Sequence, residues 1–241
     1  MPTRNVLITG ANKSIGFETA RQLGQLGSRV WLGSRNTERG RDAAEQLSAE
    51  GYDVQPVTID VTDDHSVEMA VSRVRNDGGR LDVLINNAGI LGGQPTAPSL
   101  QSVSDMRAVY ETNVFAPVRV TQAFLPLLRA ADHANIIMVS SGLGSLDWLS
   151  DPANEFYSVN ILGYNSSKSA LNAVTVSLAK ELAASGISVN SADPGYTATD
   201  FNGHTGYRTV EQAAAGIVWL ATQGPDGPTG HFYHDENIVP W

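Results

Sequence analysis

Short apolar runs alternate with segments of helical periodicity along most of the chain. Seven apolar runs have the length and composition of buried strands: NVLITG, RVWLGS, DVQPVTIDV, LDVLINNAG, NIIMVSS, ISVNSADPG and GHFYHD. Amphipathic stretches between them, such as SIGFETARQLGQLG and DDHSVEMAVSRVRND, predict helices. Strands that are apolar on both faces and alternate with helices predict a parallel sheet covered on both sides. We therefore expect an α/β fold with a doubly wound, mostly parallel, seven-stranded sheet and helices on both faces.

The longer connections in this pattern carry further expectations. Two helices are predicted around residues 100–111 and 113–130, with Pro117 and Pro126 bending or bounding the second. The helix that contains Tyr164 is expected to run to about Ala184. The least regular segments, residues 90–99, 142–163 and 196–209, follow the carboxyl ends of strands, where ligands bind in doubly wound folds. A pocket is expected there, although loops of this composition can also be ordinary surface connections.

Composition narrows the classes of function. The chain has 241 residues, of which 41% are hydrophobic and 17% are charged, as expected for a single globular domain over residues 1–241. Its net charge of −9 argues against nucleic acid and anionic membranes as partners, and it has no cysteine to form disulfides or thiolate metal sites. No signal peptide and no apolar run of about 20 residues is present, so we expect a cytoplasmic protein. His204, His231 and His234 are scattered, and no metal site is predicted.

The first strand and the first helix are joined by the loop TGANKSIG. Gly10 permits a tight turn, and Gly16 lets the helix pack close to the sheet. The helix N-terminus then directs free N–H groups at a phosphate. This strand–turn–helix unit predicts a Rossmann-like dinucleotide site, although a plain glycine-containing connection would have the same letters. The residues expected to contact the cofactor here are Gly10, Asn12, Lys13, Ser14, Ile15 and Gly16.

The end of the second strand indicates which dinucleotide is bound. NAD-binding proteins usually carry an acidic residue there, on the ribose hydroxyls. This chain reads LGSRN at that point, with Arg35 and no carboxylate, and Lys13 lies in the first loop. Two cations and no acid favour a 2′-phosphate, and hence NADP(H) over NAD. Alternatively, Arg35 solvates the start of a helix.

Residues 164–168, YNSSK, place a tyrosine four positions before a lysine at the start of a helix. This spacing puts Tyr164 and Lys168 on one helix face. A phenol titrates near about 10, and an adjacent ammonium stabilises the phenolate. The oxidised nicotinamide ring would add a second positive charge, so we expect Lys168 and the cofactor together to move the pKa of Tyr164 toward the range of a general acid–base. The alternative is a solvated helix pair.

Together these motifs resemble the short-chain dehydrogenase/reductase family in its single-domain form, over nearly the whole chain. Within the family the resemblance is greatest to NADP-dependent carbonyl reductases. The matching motifs, in chain order, are TGANKSIG, DVT at Asp60, NNAG at residues 86–89, Asn113, VSS at residues 139–141, Tyr164 with Lys168, and PGYTAT at residues 194–199.

The resemblance implies roles for these residues. Asp60 and Val61 should flank the adenine, and Lys168 should bond the nicotinamide ribose. Ser141 should bind the substrate oxygen, with Ser140 as the neighbouring alternative, and Asn113 should hold a water beside Lys168. The other residues implied to contact the cofactor are Asn87, Ala88, Gly89, Pro194, Gly195, Thr197 and Thr199.

Three departures from the family pattern matter. Ser14 replaces the middle glycine of the first loop. The interval from Ser141 to Tyr164 is long, so residues 142–163 should form an extra lobe beside the substrate site. The segment after Gly195 is short, which predicts an open site. Side chains that could line the pocket or merely pack the scaffold are Trp148, Phe156 and Tyr196, while Tyr157 lacks a following lysine.

The resulting hypothesis is an NADPH-dependent enzyme that reversibly reduces a ketone or aldehyde to an alcohol. Two alternatives remain open: reduction of a 3-oxoacyl thioester on a carrier protein, and a non-catalytic NADP sensor. A small carbonyl or alcohol is the expected partner. Pairing through the Tyr164 helix would give a homodimer or homotetramer, although the extra lobe could obstruct it and leave a monomer.

Overall fold

The structure of the protein, a computed structural model, describes residues 3–93 and 96–241. Residues 94 and 95 of the predicted 90–99 loop therefore lie outside the described residues. The strands are β1 (Asn5–Ile8), β2 (Arg29–Ser34), β3 (Val54–Thr58), β4 (Val83–Asn86), β5 (Ala134–Val139), β6 (Ile187–Asp193), β7 (Phe232–His234) and β8 (Asn237–Ile238). They form one sheet in the order β3–β2–β1–β4–β5–β6–β7–β8.

Helices connect the strands much as the periodicity predicts. They are α1 (Ser14–Gln25), α2 (Thr37–Ala49), α3 (Asp64–Gly78), α4 (Val103–Tyr110), α5 (Ala116–Leu128), α6 (Leu146–Ser150), α7 (Leu162–Leu182) and α8 (Val210–Ala221). Side-chain caps begin several of them. Asn36 accepts from the Arg39 N–H at α2, Asp63 accepts from the Ser66 N–H at α3, and Thr209 caps α8.

The prediction of seven strands is wrong by one. The eighth strand, β8, pairs antiparallel with β7, with Tyr233 opposite Ile238. A tight turn at Asp235, whose φ is 52°, reverses the chain between them. Two residues are too few to produce a hydrophobic alternation, so this strand leaves no sequence signal.

Two apolar layers enclose the sheet. Successive residues of a strand point to opposite faces. Leu7 and Trp31 thus join the layer packed under α3, α5 and α7, while Ile8 and Leu32 join the layer under α1, α2 and α8. Because both faces are covered, the inner strands read as continuous apolar runs, which is why the pattern predicts them well.

One predicted helix boundary is wrong. The expected break near residue 112 is instead a turn of π-helix, Glu111–Phe115, that joins α4 to α5 without interruption. The extra residue in this turn is accommodated by a local widening of the helix. Hydrophobic periodicity on both sides hides such a single-residue insertion, and Asn113 lies within it.

The direction of strand order reverses between β1 and β4, which lie side by side in parallel. In doubly wound sheets a crevice opens at this point, outside the carboxyl ends of the strands. The segments with candidate chemistry all follow these ends. Among the helices in the described ranges, none is long and apolar enough to cross a membrane.

Replacing Phe124 by alanine should destabilise the protein by about 3–5 kcal/mol. The Phe124 ring is fully buried between α5 and the sheet, so truncation leaves a cavity that the surrounding strands cannot collapse to fill. Urea unfolding followed by circular dichroism would measure the change. Met69→Ala is the matched control, since Met69 is 58% exposed and its loss should change the free energy of unfolding little. Equal effects of the two substitutions would contradict this description of the core.

Candidate active site

Tyr164 and Lys168 lie in the first two turns of α7, at the carboxyl end of β5. Both residues are buried, with 8% and 5% of their surface exposed. The Lys168 Nζ lies 5.6 Å from the centre of the Tyr164 ring and donates to the carbonyl oxygen of Val139 at 2.8 Å. The pair is therefore an interior arrangement and not a solvated pair on a helix surface.

A close backbone approach holds this part of α7 in place. The turn Gly142–Gly144 lies directly against the helix, and a Cβ on Gly144 would stand 2.8 Å from the carbonyl carbon of Lys168. Ser169 and Asn172 both donate to the Gly144 carbonyl oxygen, at 3.0 and 3.3 Å. Only glycine permits this contact, which fixes the distance between the end of β5 and the Tyr164 side chain.

Of the two neighbouring serines, Ser141 is the one beside the phenol. Ser141 lies close enough to the Tyr164 phenol to act on its pKa, and its hydroxyl accepts from the Leu143 N–H at 3.2 Å. Ser140 points the other way, is 2% exposed, and donates to Asn172 Oδ1 at 2.7 Å. The alternation of side chains along the strand end separates the two.

The electrostatics of the pair differ from the sequence expectation. Burial raises the pKa of Tyr164, and the negative charge of Asp193 raises it further, while the hydrogen bond with Ser141 acts in the opposite direction. Lys168 does not lower the Tyr164 pKa in the protein without the cofactor, and the lowering by Lys168 and the nicotinamide charge together stays a prediction. Burial also lowers the pKa of Lys168 to about 8, against the opposing charge of Asp193. At neutral pH the phenol is protonated and the amine titrates close to the ambient pH.

Asn113 is 1% exposed and fully hydrogen-bonded from within the π-turn. Its Oδ1 accepts from the Ile90 N–H at 2.9 Å, and its Nδ2 donates to the Ile90 carbonyl at 2.9 Å and to Ser167 Oγ at 3.1 Å. These bonds tie the π-turn, the segment after β4 and α7 together. A Cβ on Gly89 would lie 3.4 Å from Asn113 Oδ1 and 3.7 Å from Lys168 Nζ, so Gly89 stands between them.

The loop between β1 and α1 has the shape of a phosphate cradle. Gly10 has a φ of +64°, and a Cβ there would meet Ala88 at 3.0 Å. A Cβ on Gly16 would lie 2.5 Å from Asn87 Nδ2, so the helix packs as close to the sheet as a glycine allows. Ser14 also has a positive φ, 54°, which is strained for a side chain and marks the position where the family pattern has glycine.

The start of α1 supports the same ligand class. The N-cap residue Lys13 makes no side-chain cap hydrogen bond, and no residue of the described chain caps these N–H groups from a side chain, in contrast to α2, α3 and α8. An uncapped helix N-terminus behind a glycine turn suits an anionic phosphate. Asn12 is half-buried in this loop, and Ile15 packs on the core. The residues present thus fit a dinucleotide.

The loop after β4 is bonded to the first loop. Asn87 Nδ2 donates to the carbonyl oxygens of Thr9 and Gly10 at 2.9 and 3.1 Å. The hydroxyl of Thr9 accepts from the N–H groups of Asn87 and Ala88 at 3.0 and 3.1 Å. Thr9 was not among the predicted site residues, although its hydroxyl is what joins the two loops.

The two cations predicted to select the dinucleotide lie in different surroundings. Arg35 is exposed beyond β2, and its charge contributes to lowering the pKa of Asp60, for which the side-chain hydrogen bond from Thr62 is the main cause. Lys13 Nζ pairs at 2.7 Å with Asp200, on the far side of the loop. Val61 is partly buried against the core beneath this corner.

The segment after β6 is built as a series of turns. Thr197 donates to the carbonyl oxygen of Pro194 at 3.1 Å, and Gly195 has a φ of +71°. Thr199 begins a short helical turn, Asp200–Asn202, with a reciprocal cap to Asn202. Both threonine side chains are buried, so this segment is ordered by its own hydrogen bonds.

An open cleft of about 420 Å³ lies beside Tyr164. Its walls include Ile90, Leu91 and Phe201, and the Phe201 ring centre lies 5.7 Å from that of Tyr164. Trp148 and Phe156 stack on each other at 5.5 Å over Gly142, in the 142–163 segment. Tyr196 and Tyr157 are 42% and 52% exposed. The wall residue Phe201 was not predicted, since an aromatic residue in a loop carries no distinguishing pattern.

One further residue whose charge acts on the phenol was missed. Asp193, the last residue of β6, is buried and pairs with His234 at 3.0 Å. A carboxylate at the end of an otherwise uncharged buried strand is the signal that could have drawn attention to it. His204 pairs with Asp200 instead, and within the described residues no group of histidine and acidic side chains could hold a metal ion.

Lys168→Met should remove part of the pH dependence of stability. The pKa of Lys168 is about 8 in the folded protein and 10.5 ordinarily, so the unfolded chain holds the proton more tightly and wild-type stability rises with pH across this window. Raising the pH from about 7 to about 9.5 should shrink the stability of the variant relative to wild type by about 2 kcal/mol. Denaturant unfolding at both pH values measures it. Lys180→Met, an exposed site on the same helix, should show no such trend; parallel trends would contradict the burial argument.

Known proteins resemble this chain in sequence over nearly its whole length. The family model described as short chain dehydrogenase matches residues 4–208. Short-chain dehydrogenase anuI of Penicillium roqueforti is 40% identical, covering 97% of this chain and 95% of the relative. Carbonyl reductase (NADPH) 3 of Mus musculus is 30% identical over 99% of both chains.

Solved structures share the fold throughout. The NADPH-bound carbonyl reductase from chicken fatty liver superposes with a TM-score of 0.87 and 29% identity, covering 100% of both chains. The motifs expected from the resemblance occupy one edge of this fold. The chain therefore belongs to the short-chain dehydrogenase/reductase family of oxidoreductases, which act on carbonyl and alcohol groups.

Proposed function

We propose that this protein uses NADPH to reduce a ketone or aldehyde to an alcohol, with Tyr164 as the general acid. The observation that carries this proposal is the burial of Tyr164 and Lys168 side by side, next to the Ser141 hydroxyl, with the Phe201 ring between Tyr164 and a neighbouring cleft. A protonated phenol at the edge of a cleft can donate to an oxygen that gains negative charge. The names of the mouse and chicken relatives, both referring to NADPH, support the choice of cofactor.

The residues that would hold NADPH line the strand ends. The α1 N-terminus and Gly10 would hold the phosphates, Asp60 and Val61 the adenine, and Lys168 the nicotinamide ribose. The further cofactor contacts proposed are Asn12, Lys13, Ser14, Ile15, Gly16, Arg35, Asn87, Ala88, Gly89, Pro194, Gly195, Thr197 and Thr199. When bound, NADPH supplies a hydride to the carbonyl carbon.

The side chains of the protein then donate the proton that the substrate needs and replace it from solvent. Ser141 donates a hydrogen bond to the carbonyl oxygen and stabilises its developing charge. The O–H bond of Tyr164 breaks as a new O–H bond forms on the substrate, and a phenolate remains. Lys168 passes a proton to that phenolate and is reprotonated from solvent, which a pKa of about 8 allows near neutral pH. Asn113 positions the segment beside Lys168 through its bonds to Ile90 and Ser167.

Tyr164→Phe should lower the turnover of NADPH with a ketone by about 10²–10⁴-fold while leaving NADPH affinity largely unchanged. The phenyl ring keeps its packing against Phe201 and loses only the transferable proton. The measurement is NADPH absorbance against ketones, aldehydes, β-ketoesters and a 3-oxoacyl thioester, with binding followed separately by fluorescence. The matched control is Tyr157→Phe, on an exposed ring with no lysine four residues later.

Each outcome of this panel selects between functions. Near-normal turnover by the Tyr164 variant would remove Tyr164 as the acid. Turnover by wild type with the 3-oxoacyl thioester alone would favour the carrier-protein reductase, and NADPH binding without any turnover would favour a sensor. Turnover of simple ketones that Tyr164→Phe abolishes supports the proposal.

Arg35→Asp should shift the ratio of kcat/KM for NADPH to that for NADH by about 10- to 100-fold toward NADH. The reason is the loss of one charge-assisted bond to a 2′-phosphate, with Lys13 still in place. Arg75→Asp makes the same charge change at an exposed position on α3 and should leave the ratio unchanged. An unaltered ratio in the Arg35 variant would show that Arg35 does not bind the phosphate.

A further inference from the structure

Asp193 places a buried carboxylate behind the candidate active site. Its side chain is 3% exposed, and a Cβ built on Gly142, the residue after Ser141, would lie 3.2 Å from Asp193 Oδ2. The same point would contact the rings of Trp148 and Phe156 at 3.0 and 2.7 Å. Burial of a charge beside aromatic rings is unfavourable unless the charge is fully paired.

Both oxygens of the carboxylate have partners. Oδ1 accepts from the Gly195 N–H at 2.9 Å, and Oδ2 lies 3.0 Å from His234 Nδ1. The same Nδ1 faces the main-chain oxygen of Asp193 at 3.2 Å, and two acceptors place a proton on it. The opposite ring nitrogen, Nε2, lies 3.2 Å from Arg208 Nη1, which can only donate. A neutral His234 with its proton on Nδ1 therefore satisfies both neighbours.

Arg208 extends this array to the surface. Its guanidinium donates to both oxygens of Asp235, at 3.0 and 2.6 Å. Its main chain pairs with the segment after β6, because the Arg208 N–H donates to Tyr196 and the Arg208 carbonyl accepts from Ala198. The residues 194–199 are thus held at Gly195 by Asp193 and at the other end by Arg208.

Gly195 is enclosed by the same side chains. A Cβ there would lie 2.5 Å from Arg208 Cδ and 2.8 Å from His234 Cε1. The turn at Gly195 therefore rests on the Asp193–His234 pair, and any displacement of the pair must move the segment that is proposed to border the nicotinamide.

We propose that Asp193 and His234 are positioning residues of the reductase: Asp193 anchors residues 194–199 and applies its negative charge to the Tyr164–Lys168 pair, and His234 links that charge to solvent. This inference rests on the proposed function. Asp193 Oδ2 lies against Gly142, the residue that follows Ser141. From this position, and among the described residues, its charge raises the pKa of Tyr164 and opposes the lowering of the pKa of Lys168. The ionisable groups around Asp193 are Tyr164 and Lys168 from α7, Tyr207 and Arg208 before α8, and His234 and Asp235 at the end of β7; Glu155 faces Tyr207 from the 142–163 segment.

The Asp193–His234 pair should respond to pH. The hydrogen bond to Asp193 raises the pKa of His234, so this histidine gains its second proton at a higher pH than an isolated one would. The imidazolium then offsets the carboxylate charge and loses its bond from Arg208, since two donors face each other. Below the His234 pKa, the Tyr164–Lys168 pair therefore experiences a weaker anion, and the pKa values of both groups fall.

The first test measures the coupling between Asp193 and His234 by titration, without any enzymatic turnover. In the NMR titration of the histidine ring protons, Asp193→Asn should lower the pKa of His234 by about one unit. The His231 ring, in the same region of the chain but exposed and without a carboxylate partner, should be unmoved. An unchanged His234 pKa would overturn the coupling, whatever the enzyme does.

The second test measures the consequence for the reaction. In Asp193→Asn, the amide oxygen can still accept from Gly195, so the KM for NADPH should stay near wild type, while the alkaline limb of kcat for ketone reduction moves to lower pH by about one unit. His234→Gln should remove any inflection due to His234, and His231→Gln should not. A loss of equal size at every pH would reduce Asp193 to a structural residue and overturn the proposal.

These results separate the two proposals from each other. If wild type binds NADPH but reduces no carbonyl, the proposed function fails, while the histidine titration still reports on the pair. If wild type reduces ketones and neither variant changes the pH profile, the function stands and this inference fails. Should Asp193→Asn not fold, His234→Gln carries the same test, since the loss of its inflection is expected and its persistence would contradict the pair.

Discussion

The burial of an amine and a phenol on one face of α7 is the constraint around which the site is organised. Both groups lose water of hydration, and each must then be satisfied by the protein. Lys168 finds the carbonyl oxygen at the end of β5, and Tyr164 finds the hydroxyl of Ser141. Gly144 lets the turn after β5 touch the helix backbone at Lys168, which keeps these partners close to the pair. The chemistry is thus set by how closely a strand end and a helix can approach.

Close packing at glycine residues also shapes the dinucleotide loop. Gly10 and Gly16 bring the first turn into contact with Ala88 and Asn87, so that the helix N-terminus and the end of β4 form one surface. Thr9 closes this surface with hydrogen bonds to both N–H groups of the second loop. Ser14 tolerates a left-handed backbone in the position of a family glycine, at a conformational cost of about 1–3 kcal/mol that its neighbours must offset.

How far the sequence predicts this arrangement depends on how many positions along the chain separate the residues that interact. The inner strands and the Tyr164–Lys168 spacing are local signals, because burial on both faces and the helical repeat act over a few residues. The two-residue strand Asn237–Ile238 is too short for a pattern, and the π-turn around Asn113 changes the helix by a single residue. Neither could be detected by periodicity.

Contacts between residues that are brought together only by the order of the strands are a second kind of feature that the sequence does not predict. Asp193 and His234 are separated by 41 positions and become neighbours because β6 and β7 pair in parallel, with Asp193 opposite His234. Lys13 and Asp200 are 187 positions apart and pair where the first loop meets the turn Asp200–Asn202. A single sequence shows that such residues are charged, but the strand order is needed to show which charge faces which.

The opposite pKa shifts of the two central residues favour one direction of proton flow. Because burial raises the pKa of Tyr164 and lowers that of Lys168 to about 8, the phenol holds its proton at neutral pH while the amine exchanges readily. A protonated phenol beside an amine that can take up a proton from solvent suits the protonation of an alkoxide. Running the reaction backwards requires a phenolate, which a positively charged oxidised nicotinamide would stabilise. In the proposed mechanism the carboxylate of Asp193 opposes that phenolate, so the balance between these two charges, acting on one buried hydroxyl, would decide how easily the reaction reverses.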